Sequence, residues 1–147
     1  MNPFDLKSAL FARHAQHVVL IHFPIALFLA GVAFDVAAHW RRNRSLCLVA
    51  SYNLLAAAIS TLPAVLTGIL AWQWKLEAQP LKGILLLHLI FGSLSSILIW
   101  FVWWFRSGDQ DSGSWRTRQL PLELAAALVV AFTAHLGGFL SGVNAPI

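Results

Sequence analysis

The sequence has little cysteine and little charge. Its 147 residues include one cysteine, Cys47. A single cysteine excludes an intramolecular disulfide, an iron–sulfur cluster held by several thiolates, and a C-x-x-C-H haem attachment. Charged residues make up 11% of the chain and hydrophobic residues 59%, whereas soluble domains carry about 25% charged residues. A soluble single domain cannot bury this much apolar surface, so we predict an integral membrane protein.

The motifs of the common hydrolytic enzymes are also missing, since no nucleophile elbow, phosphate-binding glycine loop or zinc-protease motif occurs. Within long apolar runs the acids are Asp35 and Glu123. We expect Asp35 to pair with an arginine of residues 41–44, a proton-relay role being the alternative. Glu123 is expected in the first turn of a helix, where a carboxylate complements the helix dipole. Both acids are therefore interpreted as structural.

Four long apolar segments cover about residues 15–39, 46–74, 83–105 and 120–138. About 20 apolar residues cross a bilayer, so each segment is predicted to be a transmembrane helix. Short connections place such helices antiparallel and side by side. The predicted fold is an all-α integral membrane four-helix bundle, with residues 1–147 forming a single transmembrane domain.

The net charge of +4 is carried by residues beside the spans. This placement indicates membrane orientation and contact with lipid headgroups rather than binding of nucleic acid. Six arginines near one end of the spans compare with four basic residues near the other: Arg41, Arg42, Arg44, Arg106, Arg116 and Arg118 against Lys7, Arg13, Lys75 and Lys82. We predict a multi-pass protein of the bacterial cytoplasmic membrane with both termini outside.

Histidines inside the predicted spans are the features that point to a function. His22 lies about 12 Å inward from His14, His88 about 9 Å from Lys82, and His135 about 10 Å from Gly142. The three therefore fall in one layer near the same membrane face. A histidine in hydrocarbon is costly unless its ring nitrogens are bound. The layer is interpreted as a cofactor or metal site, and hydrogen bonding between helices is the alternative.

The surroundings favour haem b over a bare ion. Apolar side chains lie near the layer, glycines leave space for a flat ring, and basic residues at the mouth can meet propionates. The apolar side chains are Phe23, Phe28, Leu87, Phe91 and Phe132. The glycines are Gly92, Gly137 and Gly138, and the basic residues are Arg13, Lys75 and Lys82. Copper or zinc held by His22, His88 and His135 is the alternative, but carboxylates that support such sites are not predicted at this depth.

We predict His22 and His88 as the ligand pair, with His135 as the alternative second ligand. His17 lies about 140° from His22 around a helix, so the two face different neighbours. His17 is expected to hold a second, shallower group together with His135 or another residue of the fourth helix or the tail. The chain would thus bind one haem b or two.

Proline adds a local prediction in the first span. Pro24 cannot donate to the carbonyl of Leu20, so the helix is expected to bend near His22 and open a gap there. His39, beside Trp40, is expected to be interfacial only.

The first span carries the pattern His14-x-x-His17, followed at residues 19–27 by VLIHFPIAL. Together with Thr67-Gly68, His88 and Gly137-Gly138, this resembles a widespread family of small predicted bacterial membrane proteins of unknown function, over essentially the whole chain. After the paired glycines, relatives have an acid and a Tyr-Arg-His-like segment, whereas this chain has FLSG at 139–142. His135 would then replace the histidine of that segment. Some relatives are joined to Rieske-type iron–sulfur modules, which implies quinol or electron-transfer work.

Two functional hypotheses follow. The first is a haem b-binding membrane subunit, at most a redox subunit of an oxidoreductase complex, that passes electrons between the quinone pool and a partner at the outer face. The second is a cofactor-free structural or assembly subunit of a larger membrane redox or photosynthetic complex, because the small-residue faces of the second and third helices favour close helix contact. Both hypotheses name the lipid bilayer and a larger membrane complex or redox partner as partners.

Overall fold

A computed structural model describes residues 13–75, 78, 80–107 and 119–141, with side chains from Gln16 onward and without that of Lys75. The helices are α1 (Arg13–Leu20), α2 (His22–Arg41), α3 (Arg44–Lys75), α4 (Gly83–Ser107) and α5 (Leu120–Ser141). They form four spans, Gln16–Arg41, Arg44–Trp74, Gly83–Ser107 and Leu120–Ser141, each long and apolar enough to cross a membrane. The predicted all-α four-helix membrane fold is confirmed. The predicted span limits lie within three residues of these bounds.

The spans close into a ring. α2 packs on α3, α3 on α4, α4 on α5, and α5 on α2. The core between them contains Phe28, Leu54, Ile99 and Val130, one from each span. Outward-facing side chains remain large and apolar, and Leu128, for example, is 73% exposed. Such a surface suits hydrocarbon, because lipid tails are as apolar as these side chains.

The first span is interrupted at Ile21, which separates α1 from α2. Pro24 has no N–H, so the carbonyl of Leu20 lacks its helical donor. The next bond, from the Ile25 N–H to the Ile21 carbonyl, is long at 3.4 Å. This interruption of the helical hydrogen bonding lies beside His22, where we predict the bend. Beyond the break, α1 packs against α3.

The tight turn between α2 and α3 explains why these helices are antiparallel neighbours. Arg42 adopts a left-handed conformation with φ 49°, and its N–H and that of Asn43 both reach the Ala38 carbonyl. The Asn43 side chain then accepts a hydrogen bond from the Ser45 N–H at 2.9 Å and so caps α3.

Candidate functional site

A cavity of about 430 Å³ lies at the end of the bundle where α1 and α4 begin and α3 and α5 end. Its volume falls in the range of roughly 300–1,000 Å³ typical of small-molecule and cofactor sites. Most of its wall is aliphatic, formed by residues such as Ile21, Ile25, Val65, Ile69, Leu85 and Leu89. Two histidines also line it, His17 from α1 and His88 from α4.

The His17 ring is held by α3. Its Nδ1 lies 3.1 Å from the Ala64 carbonyl oxygen and 3.3 Å from Thr67 Oγ1. Because a carbonyl oxygen can only accept, Nδ1 carries the proton, and the lone pair of the neutral ring is on Nε2. The ring packs on Gly68, where an added Cβ would lie 2.9 Å from His17 Cε1. Thr67-Gly68 therefore forms the support on which this imidazole rests.

The His88 ring packs in the same way on α5. A Cβ added at Gly137 would lie 3.2 Å from His88 Cε1 and 3.7 Å from its Nδ1. This Nδ1 is buried and makes no hydrogen bond of regular geometry within the described part of the chain, although the backbone of Thr133 is near enough to interact with the ring. The Nδ1–Cε1 edge of the ring therefore faces α5, and Nε2 is the ring nitrogen farther from Gly137.

The hydroxyl groups that line the cavity are largely used by the protein itself. Ser95 and Thr133 bond to each other at 2.8 Å, and Ser96 donates to the Gly92 carbonyl at 2.9 Å. Thr61 donates to a backbone carbonyl and accepts from the indole of Trp100 at 3.0 Å. The two imidazoles are consequently the polar groups that distinguish this cavity chemically.

The other predicted ligands lie elsewhere. His22 is exposed, and its Nδ1 donates to the Val18 carbonyl of its own span at 2.6 Å. His135 is also exposed and meets Phe139 edge-on, with ring centroids 5.0 Å apart. Neither lines the cavity. The structure thus brings His17, rather than His22, to the cavity that His88 lines.

The expected aromatic surroundings differ as well. Phe28 is fully buried in the core, Phe23 is 54% exposed, and Phe91 and Phe132 pack on each other with centroids 4.9 Å apart. The predicted glycines Gly92 and Gly137 do line the cavity. The space is therefore bounded by aliphatic side chains and by glycines rather than by phenylalanines. Of the basic residues expected at the mouth, Lys82 is exposed beside the lining residue Leu81, while the side chains of Arg13 and Lys75 lie outside the described ones.

A bare metal ion finds no ready ligand set. Within the described ranges, no three His, Cys, Asp or Glu side chains are grouped so as to hold a metal. His22, His88 and His135 in particular do not converge on one cavity. Haem needs at most two axial protein ligands, so this finding bears on copper and zinc and not on haem.

A second polar cluster lies at the opposite end of the bundle, around the buried side chain of Arg106. Its Nη1 donates to Asp35 Oδ2 and to Glu123 Oε1, the latter at 3.3 Å, and its Nη2 donates to Asp35 Oδ1 at 2.9 Å. Nη2 also reaches the Cys47 carbonyl and Nε reaches Ser51 Oγ, each at 2.8 Å. The prediction that Asp35 pairs with an arginine of residues 41–44 is wrong, because Arg106 of α4 is nearer in the folded bundle.

The two histidines of the cavity and the Arg106 cluster are separated by the same number of residues in both spans. Asp35 and Arg106 pair across two spans that run in the same direction. His17 lies 18 residues before Asp35, and His88 lies 18 residues before Arg106. Eighteen residues make about five helical turns and about 27 Å. Each histidine is therefore on the same face as its ionic residue, and the ion pair places the two imidazoles at the same depth.

Comparison with known proteins gives a family and no function. Residues 13–144 match the family model described as "Predicted membrane protein (DUF2231)". Searches of curated proteins and of solved structures gave no match. The matched range includes both histidines of the cavity, its supporting glycines and the Arg106 cluster. The chain therefore belongs to the DUF2231 family of predicted membrane proteins.

Proposed function

We propose that the chain is a membrane electron-transfer protein that binds haem b in the cavity between its spans, where His17 and His88 would hold it. One observation carries the proposal: two imidazoles, on different spans and at equal depth, line one largely aliphatic cavity. A bundle of apolar helices with histidines on facing helices is a common way to hold such a group.

The residues present suit this group. His17 has its proton on Nδ1 and donates it to a backbone carbonyl, which orients the ring and makes Nε2 the ligating nitrogen. Gly137 faces the Nδ1–Cε1 edge of His88, so Nε2 is again the nitrogen turned away from the supporting helix. A largely aliphatic wall suits an apolar macrocycle, and Lys82, exposed beside the lining residue Leu81, could meet a propionate. When bound, haem b supplies a one-electron couple, which the surrounding dielectric and hydrogen bonds tune.

The proposed setting is the bacterial cytoplasmic membrane with both termini outside, which puts the cavity near the outer face. Electrons would then pass between the quinone pool and a partner at that face, within a larger membrane complex. Without Arg106, which pairs with Asp35, five basic residues near one end of the spans compare with four near the other, and this excess supports the orientation.

The test is the visible spectrum of the full chain, purified in detergent from a host supplied with haem and then reduced with dithionite. We expect Soret and α bands typical of two imidazole ligands. His17→Ala and His88→Ala should each abolish them while size-exclusion behaviour and helicity are retained.

His22→Ala is the matched control, because His22 lies in the same span, five residues away, but outside the cavity. It should retain full haem occupancy. Loss of haem in His22→Ala with retention in His17→Ala would refute the cavity assignment. Haem-free wild-type protein from a haem-replete host would refute the haem proposal and favour a cofactor-free assembly subunit.

A further inference from the structure

The charges of the cluster around Arg106 do not balance if every acid is ionised. Arg106 is a permanent cation, whereas Asp35 and Glu123 supply two carboxyl groups. The three residues are 2%, 3% and 0% exposed, respectively. Two ionised carboxylates would leave a net negative charge buried within a membrane bundle, which is strongly unfavourable. One bound proton makes the cluster neutral.

The contacts indicate which carboxyl group is ionised. Both oxygens of Asp35 accept from Arg106, one from each terminal nitrogen, in the two-pronged arrangement typical of a carboxylate. Glu123 contacts the guanidinium through Oε1 alone, at 3.3 Å. Its Oε2 is buried and makes no hydrogen bond of regular geometry with any described residue. Burying an ionised oxygen without a hydrogen bond costs far more free energy than burying a neutral one. The proton therefore belongs on Glu123.

Gln119 provides a second sign of a binding site. It precedes α5 by one residue, is 3% exposed, and neither atom of its side-chain amide has a hydrogen-bond partner in the described chain. The Glu123 N–H bonds to the Gln119 carbonyl at 3.0 Å, so the two side chains are neighbours one turn apart. An amide can donate and accept, and it can therefore pair with Glu123 in either protonation state, directly or through water. Gln119 lies between Glu123 and the membrane surface.

Among the described residues, the other groups that contact Arg106 are neutral, namely the Ser51 hydroxyl and the Cys47 carbonyl. The next titratable side chain along α2 is His39, one turn beyond Asp35, and its buried Nδ1 is not hydrogen-bonded to the cluster. No second cation among the described residues shares the two acids, since Arg106 makes both ion pairs.

We propose that Asp35, Arg106 and Glu123 form a proton-binding site in which Glu123 holds the proton and exchanges it, past Gln119, with the aqueous phase at the start of α5. The site is independent of the haem proposal, since it lies at the other end of the bundle.

Infrared spectroscopy of the full chain in a detergent without ester groups tests this, because a protonated carboxyl group absorbs apart from carboxylates and amides but close to the ester carbonyls of lipids. At neutral pH we expect one such band, shifted after transfer to D₂O and absent from Glu123→Gln. The remaining acids, Asp5, Glu77, Asp109 and Asp111, fall outside the four span ranges in the sequence, and loss of the band in Glu123→Gln would identify Glu123 as its source.

Two variants separate a proton site from a merely structural ion pair. Glu123→Gln copies the shape of the protonated acid, so its melting temperature should equal that of the wild type. In Asp35→Asn, Glu123 becomes the sole counter-charge of Arg106 and should release its proton, so the band disappears although Glu123 remains. Absence of the band from the wild type, its persistence in Glu123→Gln, or its indifference to D₂O would each overturn the proposal. The wild type and Glu123→Gln decide the question even if Asp35→Asn does not fold.

Discussion

Replacing Gly68 with alanine should displace His17 and lower haem occupancy while leaving the bundle folded. The added Cβ would lie 2.9 Å from Cε1 of the ring, 3.4 Å from Nδ1 and 3.5 Å from Nε2. Carbon atoms do not approach this closely without a shift, so the imidazole must withdraw by several tenths of an ångström. Withdrawal weakens the bond between Nδ1 and the Ala64 carbonyl, now 3.1 Å long.

The magnitude follows from three terms. Overpacking costs about 1–3 kcal/mol. A weakened hydrogen bond adds about 0.5–1.5 kcal/mol. Alanine in a helix interior is favoured over glycine by about 1 kcal/mol, which offsets part of this. The net destabilisation is about 0.5–3.5 kcal/mol. At about 2–4 °C per kcal/mol for a chain of this size, the melting temperature should fall by several degrees without loss of the fold.

Two other glycines of the same cavity provide graded controls. A Cβ at Gly137 would lie 3.2 Å from His88, which demands a smaller shift, whereas a Cβ at Gly92 would meet Thr133 Cγ2 at 3.9 Å, an ordinary contact. Melting temperatures measured in detergent should therefore rank Gly92→Ala at or above the wild type, then Gly137→Ala, then Gly68→Ala. Haem per protein should fall in Gly68→Ala and Gly137→Ala. An unchanged Gly68→Ala protein, or an equal loss of stability in Gly92→Ala, would refute the reasoning.

Three further predictions concern the rest of the bundle. Trp100→Phe removes the indole donor to Thr61 and should cost about 0.5–1.5 kcal/mol in thermal unfolding; an unchanged melting temperature would show that this bond contributes nothing. Arg106→Gln leaves Asp35 buried without a cation and should cost about 3–5 kcal/mol, seen as a collapse in the yield of monodisperse protein; wild-type yield would argue against the buried cluster. A reporter fused after Ile147 should be active outside the membrane, and activity confined to the cytoplasm would move the cavity to the inner face.

The spans and their depths were predictable because they depend on composition along the chain. Apolar runs of sufficient length, ended by charged residues, locate each span to within a few residues. The direction in which a histidine faces depends instead on which side of a helix meets its neighbours. In spans that are apolar all round, hydrophobic periodicity carries little of that information.

One signal in the sequence does identify the inner face. A carboxylate within a span must face the bundle, so Asp35 marks the buried side of the first span. Counting back 18 residues, about five turns, reaches His17 on that same side, whereas His22 lies well off it. Arg106 and His88 repeat this spacing in the third span. The prediction of His22 uses depth and the expected bend at Pro24, neither of which says which way the ring faces, whereas Asp35 supplies that angular reference.

The pairing of Arg106 was harder to anticipate. Its position at the end of an apolar run is typical of a loop arginine that marks membrane orientation. The Arg106 side chain is buried because of the topology: the end of α4 lies beside Asp35 of α2 and Glu123 of α5. Two buried acids near one membrane face require a cation from a neighbouring helix. Asp35 and Arg106 are 71 residues apart, so the sequence does not indicate which helix supplies that cation.

Replacing Pro24 supplies the last prediction. Pro24→Ala provides an N–H for the Leu20 carbonyl, so α1 and α2 should join into one regular helix, and the melting temperature should stay level or rise because a helical hydrogen bond is gained. A regular helix places His17 about five turns before Asp35, on the same side of the span, so the imidazole should stay beside the Ala64 carbonyl and haem occupancy should equal that of the wild type. Loss of haem in a folded Pro24→Ala protein would show that the break at Ile21 positions the imidazole.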